Sequence, residues 1–226
     1  MNKCPKCFEI EKFYDGYKFY RCEFCGFGIK NFKKLTKEQE ENKERLIFFA
    51  KNAKGKILDV GCGWISNPYL INSIGIDLEF KNKPKNYKKL ISYNLNDGIL
   101  PFKNEYFDTI IAGEFIEHIN NPYNFISECH RVLKRNGKLI LSTPNPNYYW
   151  YVLQDFFLFL PYEIHNKPYH KYIFNRRVLL DVMRWNEFKE LKTFGTELKI
   201  IKTKIKISML RFPQLSHTII YEGKKI

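Results

Sequence analysis

Two glycines at the end of an apolar run are the first residues with the spacing to do chemistry. Lys56 to Val60 reads as a buried strand, and Gly61 and Gly63 follow it directly. Because glycine has no Cβ atom, the backbone can turn sharply there and a ligand can approach it closely. The pattern indicates a nucleotide-binding turn, with an ordinary tight turn as the alternative.

Two carboxylates and an imidazole form a second candidate group, at Glu114, Glu117 and His118. Residues three or four apart share one face of a helical turn, so these side chains are expected to converge where a turn enters a helix. Either they act on a ligand, or Glu117 and His118 cap a helix and make local hydrogen bonds.

A third group consists of two Cys-x-x-Cys pairs, formed by Cys4, Cys7, Cys22 and Cys25. Four thiolates at this spacing can hold one tetrahedral Zn²⁺, which predicts a structural zinc ribbon. Two disulfides and a redox-active thiol pair are the alternatives. The remaining cysteines, Cys62 and Cys129, are expected to be small buried side chains.

The segments that must position these groups alternate between apolar runs and amphipathic or turn-rich stretches. Strands are predicted near 56–60, 74–77, 90–94, 109–112 and 138–143, and helices near 35–54 and 122–133. This alternation favours an α/β fold with a parallel sheet. Few residues separate Asp59 from Asp77, so any helix between the first two strands should be short and begin near Ser66.

The order of the motifs over 56–147 resembles the class I S-adenosylmethionine-dependent methyltransferases. The resemblance implies a Rossmann-like, seven-stranded, mostly parallel sheet with an antiparallel edge pair, here at 197–208 and 216–222. It also implies S-adenosylmethionine as the cofactor. The positions that match the family's cofactor site are Asp59, Gly61, Cys62, Gly63, Asp77, Asn94, Leu95 and Glu114.

Two positions depart from that family pattern. Ile65 stands in place of a third glycine, and Asn94 in place of an acid that accepts from the adenine amino group. Asn94 can still accept through its amide oxygen, but it carries no charge. We therefore expect modest cofactor affinity, with Asp77 retained as the acid that binds the ribose.

The group at Glu114, Glu117 and His118 is similar to a motif of ubiquinone-pathway O-methyltransferases and small-RNA 2′-O-methyltransferases. In those enzymes the matching residues bind a divalent cation, and His170 corresponds to a downstream histidine of the RNA enzymes. Glu117, His118 and His170 are therefore the predicted catalytic residues. One hypothesis adds Glu114 and a bound Mg²⁺ or Mn²⁺, and the other is catalysis by positioning, with or without a general base.

The predicted domains are a zinc ribbon at 1–30, a linking helix at 31–54 and a methyltransferase domain at 55–226. Aromatic residues at 148–174 are expected to form a wall or lid on the acceptor side. Oxygen is the favoured acceptor atom, in a small-molecule, lipid-linked or glycan substrate. The alternatives are methylation of RNA held by the ribbon and basic flanks, and a non-catalytic adaptor that senses the cofactor.

Charge and hydropathy restrict the partners further. The net charge is +14, but 30 lysines against 8 arginines favour a solvated surface over a nucleic-acid reader. The apolar runs are shorter than the roughly 20 residues that span a bilayer, so at most a weak membrane-surface contact is expected. A polar amino-terminal start favours a cytoplasmic location, and the oligomeric state stays open.

Overall fold

The computed structural model describes residues 35–81, 84–148, 151–152, 169–196, 213 and 216–226, and the backbone of four short strands besides. Two of these strands, β1 (Phe19–Arg21) and β2 (Gly28–Lys30), form an antiparallel pair. The four cysteines of the predicted ribbon lie outside the described residues, so the zinc site stays a prediction. The same is true of most of the predicted aromatic lid.

Two helices stand where the sequence predicted one. α1 (Lys37–Glu41) ends at Asn42, and α2 (Lys43–Asn52) begins there. Thr36 caps α1 through a reciprocal capping box with Gln39. The apolar stripe of α2 then covers one face of the sheet, as the sequence predicted for this segment.

Seven strands form the central sheet, in the order β5-β4-β3-β6-β7-β11-β8. Their bounds are β3 (Ile57–Val60), β4 (Ile74–Asp77), β5 (Lys89–Ser92), β6 (Phe107–Gly113), β7 (Leu133–Pro144), β8 (Phe188–Gly195) and β11 (Thr218–Lys225). Strands β3 to β7 pair in parallel, and β11 runs antiparallel to both β7 and β8. The predicted seven-stranded, mostly parallel sheet is thus confirmed.

One of the two strands of the antiparallel edge pair was predicted in the wrong segment. The edge partner of β11 is β8, whereas the predicted segment 197–208 supplies β9 (Leu198–Lys199) and β10 (Lys206–Ile207), which pair with each other. β8 follows α4 (Arg176–Trp185) after a tight turn, and its first residue, Phe188, is fully buried. Alternation of apolar and polar residues cannot distinguish an edge strand from a separate hairpin.

Helices cover both faces of the sheet. On one face, α2 contributes Leu46 and Phe49 to an apolar layer with the sheet residues Ile57, Ile111, Ile140 and Ile220. On the other face, α3 (Pro122–Val132) contributes Phe125 and α4 contributes Leu179. These side chains form a layer with the sheet residues Leu58, Ile110, Leu139 and Ile219. None of the described helices is long and apolar enough to cross a membrane.

The connection from β3 to β4 contains no helix, which corrects the prediction of a short one near Ser66. Residues 61–73, here called the crossover loop, are held by side chains instead. Asn67 donates from Nδ2 to the Leu46 carbonyl at 2.9 Å and accepts at Oδ1 from the Tyr69 N–H at 3.0 Å. These side-chain hydrogen bonds to the backbone stand in place of the backbone bonds of a helix.

The topology defines where a ligand can bind. From β3 the chain moves to β4 and β5 on one side, then returns to β6 and β7 on the other. Adjacent loops therefore leave the carboxyl ends of β3 and β6 in opposite directions, and a crevice opens between them. The glycine turn and the group beginning at Glu114 both lie at this edge of the sheet.

Candidate active site

The glycine turn is packed so closely that its two glycines are required by fit. Gly61 has a φ of +73°, and a Cβ atom built on it would lie 2.6 Å from Cδ2 of Phe115. A Cβ on Gly63 would lie 1.8 Å from the Glu79 carbonyl oxygen. The backbone of the turn is therefore pressed against the loop after β4, as a turn that cradles a ligand requires.

Asp77, at the carboxyl end of β4, holds that arrangement together. Its Oδ2 accepts from the Gly63 N–H at 2.7 Å, and its Oδ1 accepts from the Leu78 N–H at 2.7 Å. Burial raises the pKa of Asp77, and these backbone hydrogen bonds oppose the rise. A carboxylate has about four acceptor positions, so Asp77 retains capacity for a ligand hydroxyl.

Asp59, near the carboxyl end of β3, is a second acid at this crevice. It is buried and accepts a hydrogen bond at Oδ2 from the Tyr87 hydroxyl. Burial raises the pKa of Asp59 to about 7, while Tyr87 and the positive charge of Arg45 oppose the rise. A carboxylate so placed is suited to a cationic ligand group.

The other predicted cofactor residues lie near the crevice but differ in what they offer. The Cys62 side chain points at β4, where a Cβ on Gly75 would lie 2.7 Å from its Sγ, and burial raises the pKa of the thiol. Leu95 is part of the core. Asn94 is exposed, but its Oδ1 already accepts from the Asn96 N–H at 3.0 Å.

Glu114 pairs with Arg45 of α2 and is not part of the group with which it was predicted to act. Its φ is +52°, and its Oε1 lies 2.8 Å from Nη1 of Arg45 and 3.1 Å from the Ser142 hydroxyl. Arg45 is buried, and its Nε has no hydrogen-bond partner among the described residues. The sequence analysis missed Arg45, although a charged residue beside the apolar stripe of α2 was a usable signal.

The side chains of Glu117, His118 and His170 converge. One potential ligand atom from each lies within 4.8 Å of the others. Three of the four predicted metal ligands are thus brought together, and Glu114 is not in the group. The segment after β6 is a turn in which the His118 N–H donates to the Phe115 carbonyl at 3.0 Å, and α3 begins only at Pro122.

Glu117 is the most deeply buried member of this acid–histidine cluster. Its Oε2 accepts from the Thr143 hydroxyl at 3.2 Å, whereas its Oε1 has no hydrogen-bond partner in the part of the chain that is described. Burial, and next the charge of Glu114, raise the pKa of Glu117 well above its ordinary value. The free oxygen lies 3.8 Å from Nε2 of His118.

The tautomer of His118 follows from its other nitrogen. Nδ1 lies 2.9 Å from the Tyr169 carbonyl oxygen, which can only accept, so Nδ1 carries a proton and donates it. In the neutral ring Nε2 is then an acceptor that faces Glu117. The His170 ring packs edge-on against His118 at 4.7 Å between centroids. Two acceptor atoms that face each other require a proton or a cation between them.

A histidine that the sequence analysis missed lies at the same end of the sheet. Nε2 of His217 lies 3.0 Å from the hydroxyl of Tyr151, and the Tyr148 ring packs against it at 5.4 Å. Tyr148 and Tyr151 are both buried. They belong to the part of the predicted lid that the structure describes. They pack beside the carboxyl end of β7, where the Asn145 N–H donates to the His217 carbonyl at 2.9 Å.

The order of the strands and the glycine turn at their switch point agree with the Rossmann-like methyltransferase fold that the sequence predicted. A family model described as a methyltransferase domain matches residues 58–141, the span from β3 to β7. The chain is therefore an S-adenosylmethionine-dependent methyltransferase, and S-adenosylmethionine is its cofactor.

Curated relatives and solved structures agree with this class. The chain is 28% identical over 169 residues to a ubiquinone biosynthesis O-methyltransferase of Pelagibacter ubique, covering 68% of this chain and 69% of that one. It is 31% identical over 114 residues to the mitochondrial ubiquinone biosynthesis O-methyltransferase of Rattus norvegicus, covering 43% and 33%. An S-adenosylmethionine-dependent methyltransferase from Thermotoga maritima shares the fold, with a TM-score of 0.63, 18% identity and coverage of 84% and 95%.

Proposed function

We propose that this methyltransferase methylates a hydroxyl oxygen of a small-molecule or lipid-linked acceptor at the acid–histidine cluster. The observation that carries the proposal is the pair of facing acceptors, Glu117 Oε1 and His118 Nε2, 3.8 Å apart at the edge of the crevice. A polar hydrogen or a cation would satisfy both atoms. The hydroxyl group of the substrate that receives the methyl group supplies such a hydrogen. The names of the O-methyltransferase relatives support the same acceptor atom.

The residues at the switch point fit the charges of S-adenosylmethionine. We assign Asp59 to the cofactor's ammonium group, Arg45 to its carboxylate and Asp77 to the ribose hydroxyls. The fit rests on the buried Nε of Arg45 and on the carboxylates of Asp59 and Asp77 at the ends of β3 and β4. When bound, the cofactor supplies a methyl group on a positively charged sulfur.

The chain's own residues then have two tasks, to hold the acceptor and to receive its proton. With the cofactor bound, Nε2 of His118 would receive the proton that the acceptor hydroxyl loses on methylation. The Tyr169 carbonyl fixes the tautomer that leaves Nε2 free to receive it. Burial favours the neutral form of Glu117, but a positive charge on His118 would favour its ionised form, and that carboxylate would stabilise the imidazolium.

The same cluster has the donor set for a divalent cation, and this is the second form of the proposal. Glu117 Oε1, His118 Nε2 and His170 would hold Mg²⁺ or Mn²⁺, whose chemistry is to lower the pKa of an acceptor hydroxyl. Thr143 and the Tyr169 carbonyl would orient the ligands from behind. We also retain a structural Zn²⁺ in the predicted ribbon at 1–30.

Methyl transfer from labelled S-adenosylmethionine tests the function. The acceptors to compare are phenols and quinols, lipid-linked sugars, glycans and RNA, each with the wild type and His118→Ala. Formation of a methyl ether on a small or lipid-linked acceptor, lost in His118→Ala and kept in His130→Gln, would support the proposal. Methylation of RNA alone would contradict it, and cofactor binding without turnover on every acceptor would favour an adaptor.

A further inference from the structure

We propose that Tyr87 is a positioning residue that holds Asp59 toward the cofactor's ammonium group, in place of a crossover helix between β3 and β4. The inference rests on the cofactor site proposed above. Tyr87 lies in the loop before β5, outside every motif of the sequence analysis.

One hydroxyl connects the end of β3 to the crossover loop. The Tyr87 hydroxyl donates to Oδ2 of Asp59 and accepts from the Asn67 N–H at 3.0 Å. Tyr87 is 8% exposed and Asp59 is 5% exposed, so water scarcely competes for these hydrogen bonds. The direction of the Asp59 carboxylate is therefore set by Tyr87.

The ring of Tyr87 fills space on the α2 face of the sheet. Gly75 pairs with Asp59 in the register of β3 and β4, and a Cβ on Gly75 would lie 3.0 Å from Cδ1 of Tyr87. A helix that connected two parallel strands would pack over this part of a face. Here Gly75 leaves space for the ring of Tyr87, which belongs to the connection between β4 and β5.

Side-chain amides fix the same two segments to each other. Nδ2 of Asn86 donates to the Asn67 carbonyl at 2.9 Å and to the Leu70 carbonyl at 2.8 Å. The Lys88 N–H donates to the Ser73 carbonyl at 2.8 Å. Tyr87 is thus held rigidly between two anchored neighbours, as a positioning residue must be.

Burial has the largest effect on the charge state of Asp59, and three neighbouring groups modify it. Arg45 from α2 and the Tyr87 hydroxyl favour its ionised form, whereas Asp77 from β4 disfavours it, and the Cys62 thiol of the turn lies beside it. With burial, the balance puts the pKa of Asp59 at about 7. Without the Tyr87 hydroxyl this pKa would be higher, so less of the carboxyl would be ionised at neutral pH.

The test is Tyr87→Phe in the full-length chain, which keeps the ring and removes the donor. Calorimetry from pH 6 to pH 9 compares S-adenosylmethionine with 5′-methylthioadenosine, which lacks the ammonium group. We expect S-adenosylmethionine to bind about fivefold more weakly than to wild type at pH 7, since a rise of about one unit in a pKa of about 7 lowers the ionised fraction of Asp59 from about a half to about a tenth. By pH 9 the ratio should return toward one, and 5′-methylthioadenosine should bind within about threefold of wild type throughout.

The matched control is Tyr221→Phe, which removes a buried hydroxyl without a hydrogen-bond partner among the described residues. It should bind both ligands as the wild type does. In an Asp59→Asn background, Tyr87→Phe should have no further effect on S-adenosylmethionine, a test that holds even if the variant is less stable.

Equal weakening of both ligands at every pH would mean that Tyr87 only supports the loop, and would overturn the inference. Unchanged S-adenosylmethionine affinity in Tyr87→Phe would overturn it as well. A separate measurement tests the proposed cofactor site itself. If Asp59→Asn bound S-adenosylmethionine as tightly as wild type, the proposed cofactor site would fall and the inference with it.

Discussion

Asp77 has two roles at the glycine turn, and its substitution should reveal the one that concerns the ligand. We expect Asp77→Ala to weaken S-adenosylmethionine binding by well over tenfold, because two ribose hydroxyls would each lose a charge-assisted bond of about 1.5–3 kcal/mol. Calorimetry measures this directly. Asp181→Ala, which changes an exposed acid on α4, should bind normally, and unchanged affinity in Asp77→Ala would refute the placement of the site.

The acid–histidine cluster can act through a cation or through a lone base, and the two predict different responses to chelation. If a cation is held there, a chelator too weak to remove zinc from four thiolates should stop turnover, and Mg²⁺ or Mn²⁺ should restore it. His118→Ala and His170→Ala should then lower kcat strongly, with cofactor affinity within a few-fold of wild type. Full turnover with chelator, and a rate intact in His170→Ala, would leave His118 as the base.

Residue spacing predicted part of this cluster and failed at one member. Glu117 and His118 are adjacent in sequence and meet His170 in space, as expected. Glu114 was expected with them, but its carboxylate pairs with Arg45 instead. Its partner Arg45 lies on a helix that precedes the sheet, and no local pattern encodes a contact over that distance.

At the scale of elements, the crossover loop shows what periodicity cannot predict. Its structure depends on Asn67, whose contacts with Leu46 and Tyr87 come from residues 21 and 20 positions away. A window of neighbouring residues contains none of these partners. The sequence indicated only that the segment was short, and a short helix was the wrong interpretation.

Asn67→Ala should destabilise the protein more than an ordinary polar substitution. It removes the side-chain bonds to Leu46 and Tyr69 and leaves buried groups with fewer partners, which should cost about 2–3 kcal/mol. Urea denaturation gives the free energy of unfolding. Asn52→Ala, which removes one bond at the end of α2, should cost about 1 kcal/mol or less. Similar values for both variants would contradict the role given to Asn67.

The buried acid at Asp59 should affect the stability of the whole molecule. Burial raises the folded pKa of Asp59 to about 7, above the unfolded value of about 3.9. Between these values the folded state binds more protons, so this group makes stability fall as pH rises through the window, and the loss is complete above pH 7. Below about pH 4 the group contributes nothing.

Asp59→Asn should therefore be more stable than wild type at pH 8, on the order of 1–4 kcal/mol, while binding S-adenosylmethionine more weakly. The difference in stability should shrink as the pH falls toward 4. Denaturation at pH 8 and pH 5 measures it, with Asp181→Asn as the exposed control. A variant less stable than wild type at pH 8 would show that the neutral amide disrupts the contact with Tyr87.

The amino-terminal ribbon is predicted to be a separate unit of the molecule. If Cys4, Cys7, Cys22 and Cys25 share one ion, elemental analysis of the purified full-length chain should find one zinc. Cys22→Ser should release it and leave cofactor binding nearly intact, since the two parts have separate stabilising contacts. Cys129→Ala should retain the zinc. A disulfide found by mass spectrometry, or a metal-free protein, would refute the ribbon.

For the molecule as a whole, the alternation of strand and helix segments predicted a parallel sheet, and the family resemblance supplied its seven strands and antiparallel edge. The buried strands Ile57–Val60 and Phe107–Gly113 lie where apolar runs were predicted to form strands. The far edge was harder, because β8 and the segment 197–208 have similar patterns and only pairing with β11 distinguishes them. Long-range pairing, not local preference, decided that choice.

The crossover loop also has a consequence for the order of folding. A helix can nucleate from its own residues, whereas this loop depends on Leu46, Asn86 and Tyr87, 16 to 21 positions away. Contacts over that separation require closure of the intervening chain, but β11 pairs with β7 across many more positions, from Thr218 to Pro144 and from Lys224 to Lys138. The crossover loop should therefore form before the sheet is completed at β11, and a newly made chain should assemble its cofactor turn before its last strand is added.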